Sequence, residues 1–256
     1  MNKITLCMLV KNEEFFIDLP LKSTIDLVDE VVIVHDGECK DNTIKIAEKI
    51  CGDKLKVIVD TTHNGHFGKQ RQLALDNAKG EWILWLDADE CLDEGIQKSI
   101  KEVIAQDKLE CFHLLYVHFI NNLQHVDNSE PIHVGLFRLH KNKKSIDLST
   151  KKNHALPNYS DFNSPVGYGG GFIWHLGYLR GIEKTWERFK RNVTESIIHN
   201  PIYMSAWKNW HILGNYPTTK IPLDAIPEII KDKFHIGYTV DKSVEAFKNE
   251  NFSNRK

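Results

Sequence analysis

The sequence predicts an α/β fold with a mostly parallel central sheet, helices on both of its faces and further helices toward the C-terminus. Apolar runs of strand length alternate with segments of helical period from the N-terminus to Gly95. Each of these apolar runs ends in polar or acidic residues. Such regular alternation indicates parallel strands joined by right-handed crossovers. A chain of 256 residues can bury one sizeable core with a small appended part.

The first half supplies the parallel strands and the helices between them. Short apolar runs bounded by turn residues predict strands at residues 4–10, 31–34, 55–59 and 82–86. Helical period predicts helices over residues 15–28, 42–50 and 70–78. The first of these helices should be broken or kinked at Pro20. Residues 93–95 open a further helix.

The pattern changes after Gly95. Longer strands over residues 111–120 and 135–140 predict antiparallel or mixed members of the sheet. A polar stretch over residues 141–171 ends in a glycine-rich run, and we predict a long loop whose residues 163–171 are mobile until a ligand orders them. Helical period returns at Ile182. We therefore expect a main domain over residues 1–180 and a helical extension over residues 181–256.

Composition excludes some classes of function. The net charge is -2 at pH 7, and no concentrated basic face predicts a nucleic-acid partner. The 5 cysteines are scattered without a Cys-x-x-Cys pair, which indicates reduced thiols and a cytoplasmic protein. No apolar run is long enough for a membrane span, and the run over residues 4–10 is too short for a signal-peptide core.

The most informative motif is the acid-x-acid pair Asp87 and Asp89, directly after the apolar run of the fourth strand. Side chains two apart in an extended chain point the same way, so both carboxylates can face one hard divalent cation, Mn²⁺ or Mg²⁺. We expect Asp89 to be an exposed ligand. The alternative is a plain acidic loop whose charges favour the N-terminus of the next helix.

Polar residues also follow the other predicted parallel strands. They are Lys11 and Asn12 after the first strand, Asp36 after the second and Asp60 after the third. Parallel strands end on one edge of a sheet, and ligands bind at that edge in open α/β sheets. The sequence therefore predicts a binding site built from several strand ends.

A basic cluster, Lys69 and Arg71, opens the helix before the fourth strand. Cationic side chains and backbone N–H groups meet phosphate at such a position. The alternative is a solvated helix face.

Four segments in this order resemble glycosyltransferase family 2, the inverting, nucleotide-sugar-dependent enzymes of the GT-A fold. They are Val10-Lys11-Asn12-Glu13-Glu14, residues 36–43, residues 68–73 and residues 80–90. The second half resembles the bacterial lipopolysaccharide-type sugar transferases of this family through Leu136-Phe137-Arg138 and residues 173–178. The resemblance implies a GT-A catalytic domain over residues 1–180, with a nucleotide-binding half over 1–95 and an acceptor half over 96–180.

The resemblance also implies a pair of substrates. The donor is a nucleotide sugar, with a UDP-sugar favoured, and the acceptor is a glycan, a lipid-linked sugar or another hydroxyl compound. Asp36 would contact the base, and the main chain from Val10 through Lys11 to Asn12 would line the nucleoside pocket. Lys69 and Arg71 would lie near the diphosphate.

A metal site and a catalytic base complete the expectations. The resemblance implies that Asp87 lies near the ribose and the metal, that Asp89 binds the ion directly and that His175 supplies a further contact. An inverting transfer needs a base for the acceptor hydroxyl. Related sequences carry a His-Glu pair where this chain has His154-Ala155. We take Asp161 as the first candidate for the base, with His154 and Glu130 as the others.

The acceptor and membrane expectations are less specific. Aromatic residues can form a stacking wall for an acceptor sugar, and the candidates are Tyr159, Phe162, Tyr168 and Trp174. Basic residues around Trp186 and Phe189 suggest a weak contact with an anionic membrane surface, so the protein would be cytoplasmic and peripheral to the membrane. The alternative for that segment is a solvated helical face with an apolar stripe.

Two other functions remain open. A sugar nucleotidyltransferase also uses acidic metal ligands, but this chain has Lys11-Asn12-Glu13-Glu14 where a glycine-rich phosphate loop would follow the first strand. A non-catalytic protein that binds nucleotide sugars or carbohydrates would fit the missing carboxylate of the His-Glu pair. Sugar transfer would indicate the glycosyltransferase, pyrophosphate release the nucleotidyltransferase, and binding without turnover the binding protein.

Overall fold

A computed structural model describes residues 2–63, 65–128, 133–151, 156–192, 205, 216–235 and 237–240. The chain forms two compact units, which are described separately. The first comprises Met1–Tyr116 and Ile132–Trp174, and the second comprises Val117–Pro131 and His175–Lys256. The expected domain boundary at residue 180 stays a prediction.

The first unit begins with the parallel strands that the sequence predicts. The strands are β1 (Ile4–Val10), β2 (Glu30–Asp36), β3 (Leu55–Asp60) and β4 (Trp82–Trp85). Strand β1 pairs in parallel with β2 and β4, and β2 pairs in parallel with β3. The helices between them are α1 (Asp18–Thr24), α2 (Thr43–Cys51) and α3 (Phe67–Asn77). The carboxyl ends of all four strands therefore lie on one edge.

The remaining strands make the sheet mixed, as the sequence predicts. They are β5 (Glu90–Leu92), β6 (Cys111–His118), β8 (His133–Lys141) and β9 (Val166–His175), while β7 (His125–Asp127) lies in another sheet. Strand β8 runs antiparallel to both β4 and β6. The strand order is β3-β2-β1-β4-β8-β6-β9-β5. Helix α4 (Glu94–Ala105) follows β5 and is capped by Asp93, whose carboxylate accepts the Ile96 N–H.

Strand alternation places an apolar core on each face of the sheet. Leu6 and Met8 of β1 lie in one cluster with the buried side of α4, whereas Cys7 lies in the other with Trp85 and Ala74 of α3. Both faces of the parallel strands are therefore covered, which explains their continuous apolar runs. These packed strands hold the polar residues at their ends in fixed positions.

Pro20 does not break or kink the first helix. Helix α1 begins at Asp18, so Pro20 lies in its first turn, where a backbone N–H has no intrahelical partner. The sequence prediction was wrong because it started the helix too early. Residues 14–17 instead form a turn in which the Glu13 carbonyl accepts the N–H groups of Phe16 and Ile17.

The glycine-rich segment is a strand and not the long loop that the sequence predicts. A Cβ at Gly167 would lie 2.6 Å from Phe112 Cδ1, and one at Gly171 would lie 2.7 Å from the backbone nitrogen of Ile96. Gly170 and Gly171 also have φ of +72° and +69°, a backbone conformation that L side chains rarely adopt. The glycines allow β9 to approach β6 and α4 closely. The expected mobility of residues 163–171 stays a prediction.

The second unit combines short strands with helices. Strand β7 pairs antiparallel with β10 (Thr218–Lys220), and the described residues of this unit include the helices α5 (Ile182–Asn192) and α6 (Glu228–Lys233). The backbone N–H of Val240 donates to the Asn121 carbonyl, and Tyr238 Oη donates to the Leu179 carbonyl at 2.7 Å. Within the described ranges, no helix has both the length and the apolar character needed to cross a membrane.

Candidate active site

Two of the predicted site residues meet at the ends of β1 and β2. Asp36 is the last residue of β2, and its carboxylate accepts Lys11 Nζ at 2.7 Å. The same carboxylate accepts the backbone N–H of Gly65 at 3.0 Å and Gln70 Nε2 at 2.8 Å. Partial burial acts to raise the pKa of Asp36, but these donors and the charge of Lys11 bring it below the ordinary value. Asp36 is therefore an anion at neutral pH.

The turn after β1 is held by side chains from the next strand and loop. Asn12 has φ of +53°, and its Oδ1 accepts the Lys40 N–H at 2.8 Å. The Asn12 N–H in turn donates to His35 Nε2 at 3.3 Å. His35 Nδ1 lies 2.8 Å from the Gly37 carbonyl, so Nδ1 carries the proton and Nε2 is the acceptor. Val10, at the end of β1, is buried.

Asp87 forms the centre of a charged cluster beyond the end of β4. Arg71 Nη2 donates to Asp87 Oδ1 at 3.1 Å, and Arg138 Nη2 donates to Asp87 Oδ2 at 3.2 Å. Burial acts to raise the pKa of Asp87, but Arg138 and Arg71 hold it well below its usual range. The guanidinium carbon of Arg71 lies 5.0 Å from the Trp85 ring centroid. Helix α3 and strand β8 thus each supply an arginine that holds Asp87.

Glu90 supports the same cluster from within the core. It is 2% exposed, and its Oε1 accepts Arg138 Nη2 at 2.8 Å. Its Oε2 accepts the Asp87 backbone N–H at 2.7 Å. Burial raises the pKa of Glu90. Burial acts to lower the pKa of Arg138, but Glu90, Tyr116 and Asp87 raise the pKa of this arginine above its ordinary value. Glu90 therefore fixes both the turn and the arginine that contacts Asp87.

Asp89 is buried, which corrects the expectation of an exposed ligand. It is 2% exposed, whereas the Asp87 side chain is 32% exposed. The negative charge of Asp89 acts to raise the pKa of both Asp87 and Glu90, so the three carboxyl groups share one neighbourhood. Two arginines face these three acids. Removal of Asp89 would therefore remove one buried negative charge as well as a candidate metal ligand.

The donor set at this turn fits a hard divalent cation. Carboxylate oxygens are the ligands that Mg²⁺ and Mn²⁺ prefer. Both oxygens of Asp87 accept arginine N–H groups. In the part of the chain that the structure describes, no group of three His, Cys, Asp or Glu side chains is arranged to hold a metal.

The structure separates the two basic residues of the predicted phosphate cluster. Helix α3 begins at Phe67, and its N-cap His66 accepts the Lys69 N–H through Nδ1 at 3.3 Å. Lys69 is exposed, whereas Arg71 is 6% exposed and holds Asp87. Within the described residues, the Nε and Nη1 atoms of Arg71 have no hydrogen-bond partner. A role of Lys69 at the diphosphate stays a prediction.

The catalytic base also stays a prediction. Asp161 Oδ2 accepts the Asn158 N–H at 2.6 Å and lies 3.6 Å from Lys151 Nζ, so its carboxylate caps a short 3-10 turn over Tyr159–Asp161. His154 and Glu130 lie outside the described residues.

His175 lies in the second unit at the end of β9. Its Nδ1 is 2.9 Å from Nδ1 of His118, and its backbone carbonyl accepts the Phe119 N–H. The ring of Tyr178 packs edge-on against it, with centroids 5.4 Å apart. The expected metal contact of His175 stays a prediction.

Three residues of the site were given no role by the sequence reasoning. They are Gln70, which binds Asp36, and Glu90 and Arg138, which bind each other. The available signal for Arg138 was a lone arginine within the apolar run of residues 135–140. Buried arginine needs an anionic partner, so that signal indicated an acid from another strand.

A model of the family described as "Glycosyl transferase family 2" matches residues 5–165. This range contains all of β1 but its first residue, β2 to β4, Asp36 and the Asp87 cluster. The chain belongs to glycosyltransferase family 2. An uncharacterized glycosyltransferase of Rickettsia typhi is 30% identical over 185 residues, which are 71% of this chain and 59% of that protein. One of Rickettsia felis is 30% identical over 174 residues, which are 66% of this chain and 58% of that protein.

The family assignment agrees with solved structures. Staphylococcus aureus TarS matches 83% of this chain and 44% of its own with a TM-score of 0.51 and 20% identity. TarS 1-349 in complex with UDP matches 82% of this chain and 70% of its own, with a TM-score of 0.50 and 19% identity. The fold is the GT-A fold. The chain spans slightly less than three fifths of the Rickettsia relatives.

Proposed function

We propose that this protein transfers a sugar from a nucleotide-sugar donor, favouring UDP-sugars, to a hydroxyl group of an acceptor, with inversion at the anomeric carbon. The observation that carries the proposal is the clustering of Asp87, Asp89 and Arg71 on the sheet edge where Asp36 also ends. At that edge, Asp87 and Asp89 can face a cation, Arg71 can face a diphosphate, and the carboxylate of Asp36 can face a nucleobase.

The donor lies along the carboxyl ends of β1, β2 and β4. The carboxylate of Asp36 accepts the ring N–H of uracil, and the main chain from Val10 to Asn12 lines the nucleoside pocket. Arg71 lies beside the diphosphate and Lys69 provides a further positive charge. The solved complex of TarS 1-349 with UDP, a protein of similar fold, supports the choice of UDP.

Asp89 would hold Mn²⁺ or Mg²⁺, and Asp87 would lie beside the ribose and the ion. When bound, such an ion neutralises the negative charge that develops on the leaving diphosphate. Arg71 and Arg138 hold Asp87 by both oxygens, so its orientation is set before the donor binds.

The transfer exchanges one bond to the anomeric carbon for another. The acceptor oxygen forms a bond to this carbon from the face opposite the diphosphate, and the electron pair of the broken bond remains on the diphosphate oxygen. A base removes the proton of the acceptor hydroxyl. Asp161 and His154 are the proposed candidates.

UDP release from UDP-glucose, UDP-galactose and UDP-N-acetylglucosamine with Mn²⁺ tests the proposal. We expect release by the natural protein and a loss of about 100-fold or more in Asp89→Asn, since the ligand oxygen is replaced by a neutral amide. Exposed Asp53→Asn is the control, and thermal unfolding of each variant checks the fold. Release of pyrophosphate from UTP and a sugar 1-phosphate, without UDP release from the UDP-sugars, indicates a nucleotidyltransferase. Binding of the UDP-sugars without either product indicates a binding protein. Both results contradict the proposal.

A further inference from the structure

An exposed aromatic cluster lies in the first unit, outside the contacts described for the donor. Its outer members are Tyr159 and Tyr168, whose exposed fractions are 67% and 64%. Its inner members are His113 of β6 and Phe137 of β8, which stack with ring centroids 4.7 Å apart. Exposed apolar side chains that lie together mark binding sites more often than single ones do.

The inner rings contact both outer tyrosines. Tyr159 packs edge-on against Phe137 with centroids 4.8 Å apart, and its hydroxyl lies 3.4 Å from His113 Nε2. Tyr168 lies against the same histidine, with centroids 6.0 Å apart. Both tyrosines therefore have restricted positions and present ring surface and a hydroxyl to solvent. A preformed surface of this kind costs little entropy when a ligand binds.

Strand β8 ties this cluster to the Asp87 site. Phe137 is the neighbour of Arg138 in β8, and Arg138 Nη2 contacts Asp87. The cluster and the transfer site thus share β8.

The chemistry of the cluster selects among possible occupants. A pyranose ring presents a face of C–H bonds with partial positive charge, which matches the negative face of an aromatic ring. Its hydroxyl groups match the phenol oxygens at the edge of that surface. An aliphatic chain would not use these hydroxyls. The surface that the two outer residues form is also small compared with the area of about 1,000 Å² that a stable protein interface needs.

We propose that Tyr159 and Tyr168, supported by His113 and Phe137, form a stacking platform for a sugar ring of the acceptor. The acceptor is then a carbohydrate, and not a simple alcohol or an amino-acid hydroxyl. This inference rests on the proposed function and specifies the acceptor side of the same site.

Saturation-transfer NMR with cellobiose as the probe, in the presence of UDP and Mn²⁺, tests the platform. We expect saturation of the sugar C–H protons by the natural protein and a loss in affinity of about tenfold or more when both tyrosines become alanine. The matched control is Tyr159→Phe with Tyr168→Phe, which keeps both rings and should keep most of the binding. UDP affinity, measured by calorimetry, should be the same in all three proteins.

The outcomes separate the platform from the donor site. No cellobiose signal from the natural protein, or an equal signal from the double alanine variant, overturns the platform. A natural protein that dimerises, with the double alanine variant monomeric by light scattering, assigns the surface to a second copy and also overturns it. Failure of every variant to bind UDP contradicts the proposed donor, whereas a cellobiose signal that depends on the tyrosines still supports the platform.

Discussion

Arg138 and Asp87, 51 residues apart in sequence, form the contact that fixes the turn after β4. The same Nη2 atom of Arg138 also binds Glu90, so one guanidinium group links the two ends of the Asp87–Glu90 turn. Arg138 is 6% exposed, and its guanidinium carbon lies 5.6 Å from the Tyr116 ring centroid. The acid-x-acid motif therefore depends on an arginine from an antiparallel strand.

We predict that Arg138→Met destabilises the fold by about 3–5 kcal/mol, because it leaves Glu90 buried without its cation. Adding Glu90→Gln should restore part of that loss, since a neutral amide has a much smaller cost of burial. Urea unfolding of both single variants and the double variant measures the coupling. Strictly additive losses would contradict a direct dependence between the two side chains.

A second prediction concerns Asp60, the last residue of β3. Its carboxylate accepts the backbone N–H groups of Thr62 and His63 and is 3% exposed. Burial acts to raise the pKa of Asp60, but these donors lower it from 3.8 to about 2. The native state then binds fewer protons than the unfolded state between these values, so stability rises with pH across this window. We expect a contribution of about 2 kcal/mol above pH 4 that is lost as the pH falls toward 2.

Asp60→Asn checks this expectation. Urea unfolding should show a large stability difference from the natural protein at pH 7 and a smaller one near pH 3. Exposed Asp53→Asn is the matched control and should show little difference at either pH. A difference for Asp60→Asn that does not change with pH would mean that its hydrogen bonds, and not its charge, stabilise the turn.

The sequence predicted the parallel strands, the positions of Asp36 and Asp87 at their ends, and the position of Arg71 in the helix before the fourth strand. This succeeded because apolar period and strand ends are local properties of the chain. Arg138 received no role because its acid partners are 48 and 51 residues away, and no local pattern specifies that β8 lies beside β4. The burial of Asp89 was missed for the same reason.

The glycine-rich strand was mispredicted for a different reason. The positions of Gly167 and Gly171 have no room for a side chain, because β6 and α4 lie against them. A run of glycines in a sequence is nevertheless typical of a loop. Propensity describes the isolated segment, whereas tertiary packing decided its structure. The effect of Pro20 was mispredicted because the start of α1 was placed a few residues too early. With α1 beginning at Asp18, Pro20 lies in the first turn and not in the helix interior.

We predict that Gly171→Ala destabilises the protein by about 2–4 kcal/mol, because a new Cβ meets the backbone of Ile96 and the φ of +69° is unfavourable for alanine. Gly52→Ala is the matched control. Gly52 has φ of +51° and ψ of −130° but nothing within 4 Å of a Cβ, so its substitution should cost only backbone strain, about 1–3 kcal/mol. Equal losses in thermal or urea unfolding would show that φ alone requires these glycines.

The last prediction separates base recognition from phosphate binding at Asp36. Its side chain is 15% exposed and accepts Lys11, Gln70 and the Gly65 N–H, so a uracil N–H must reach the remaining accepting direction. An amide in place of the carboxylate removes the negative charge and can present a donor to the base. We expect Asp36→Asn to weaken UDP binding by about tenfold or more and to change pyrophosphate binding by less than about twofold. Calorimetry with both ligands in Mn²⁺ measures the two effects. Gln70→Met is the matched control, because it removes one partner of Asp36 and leaves its charge. An equal loss for UDP and pyrophosphate in Asp36→Asn would place the residue at the phosphates or in the fold, and the base would then be read by another group.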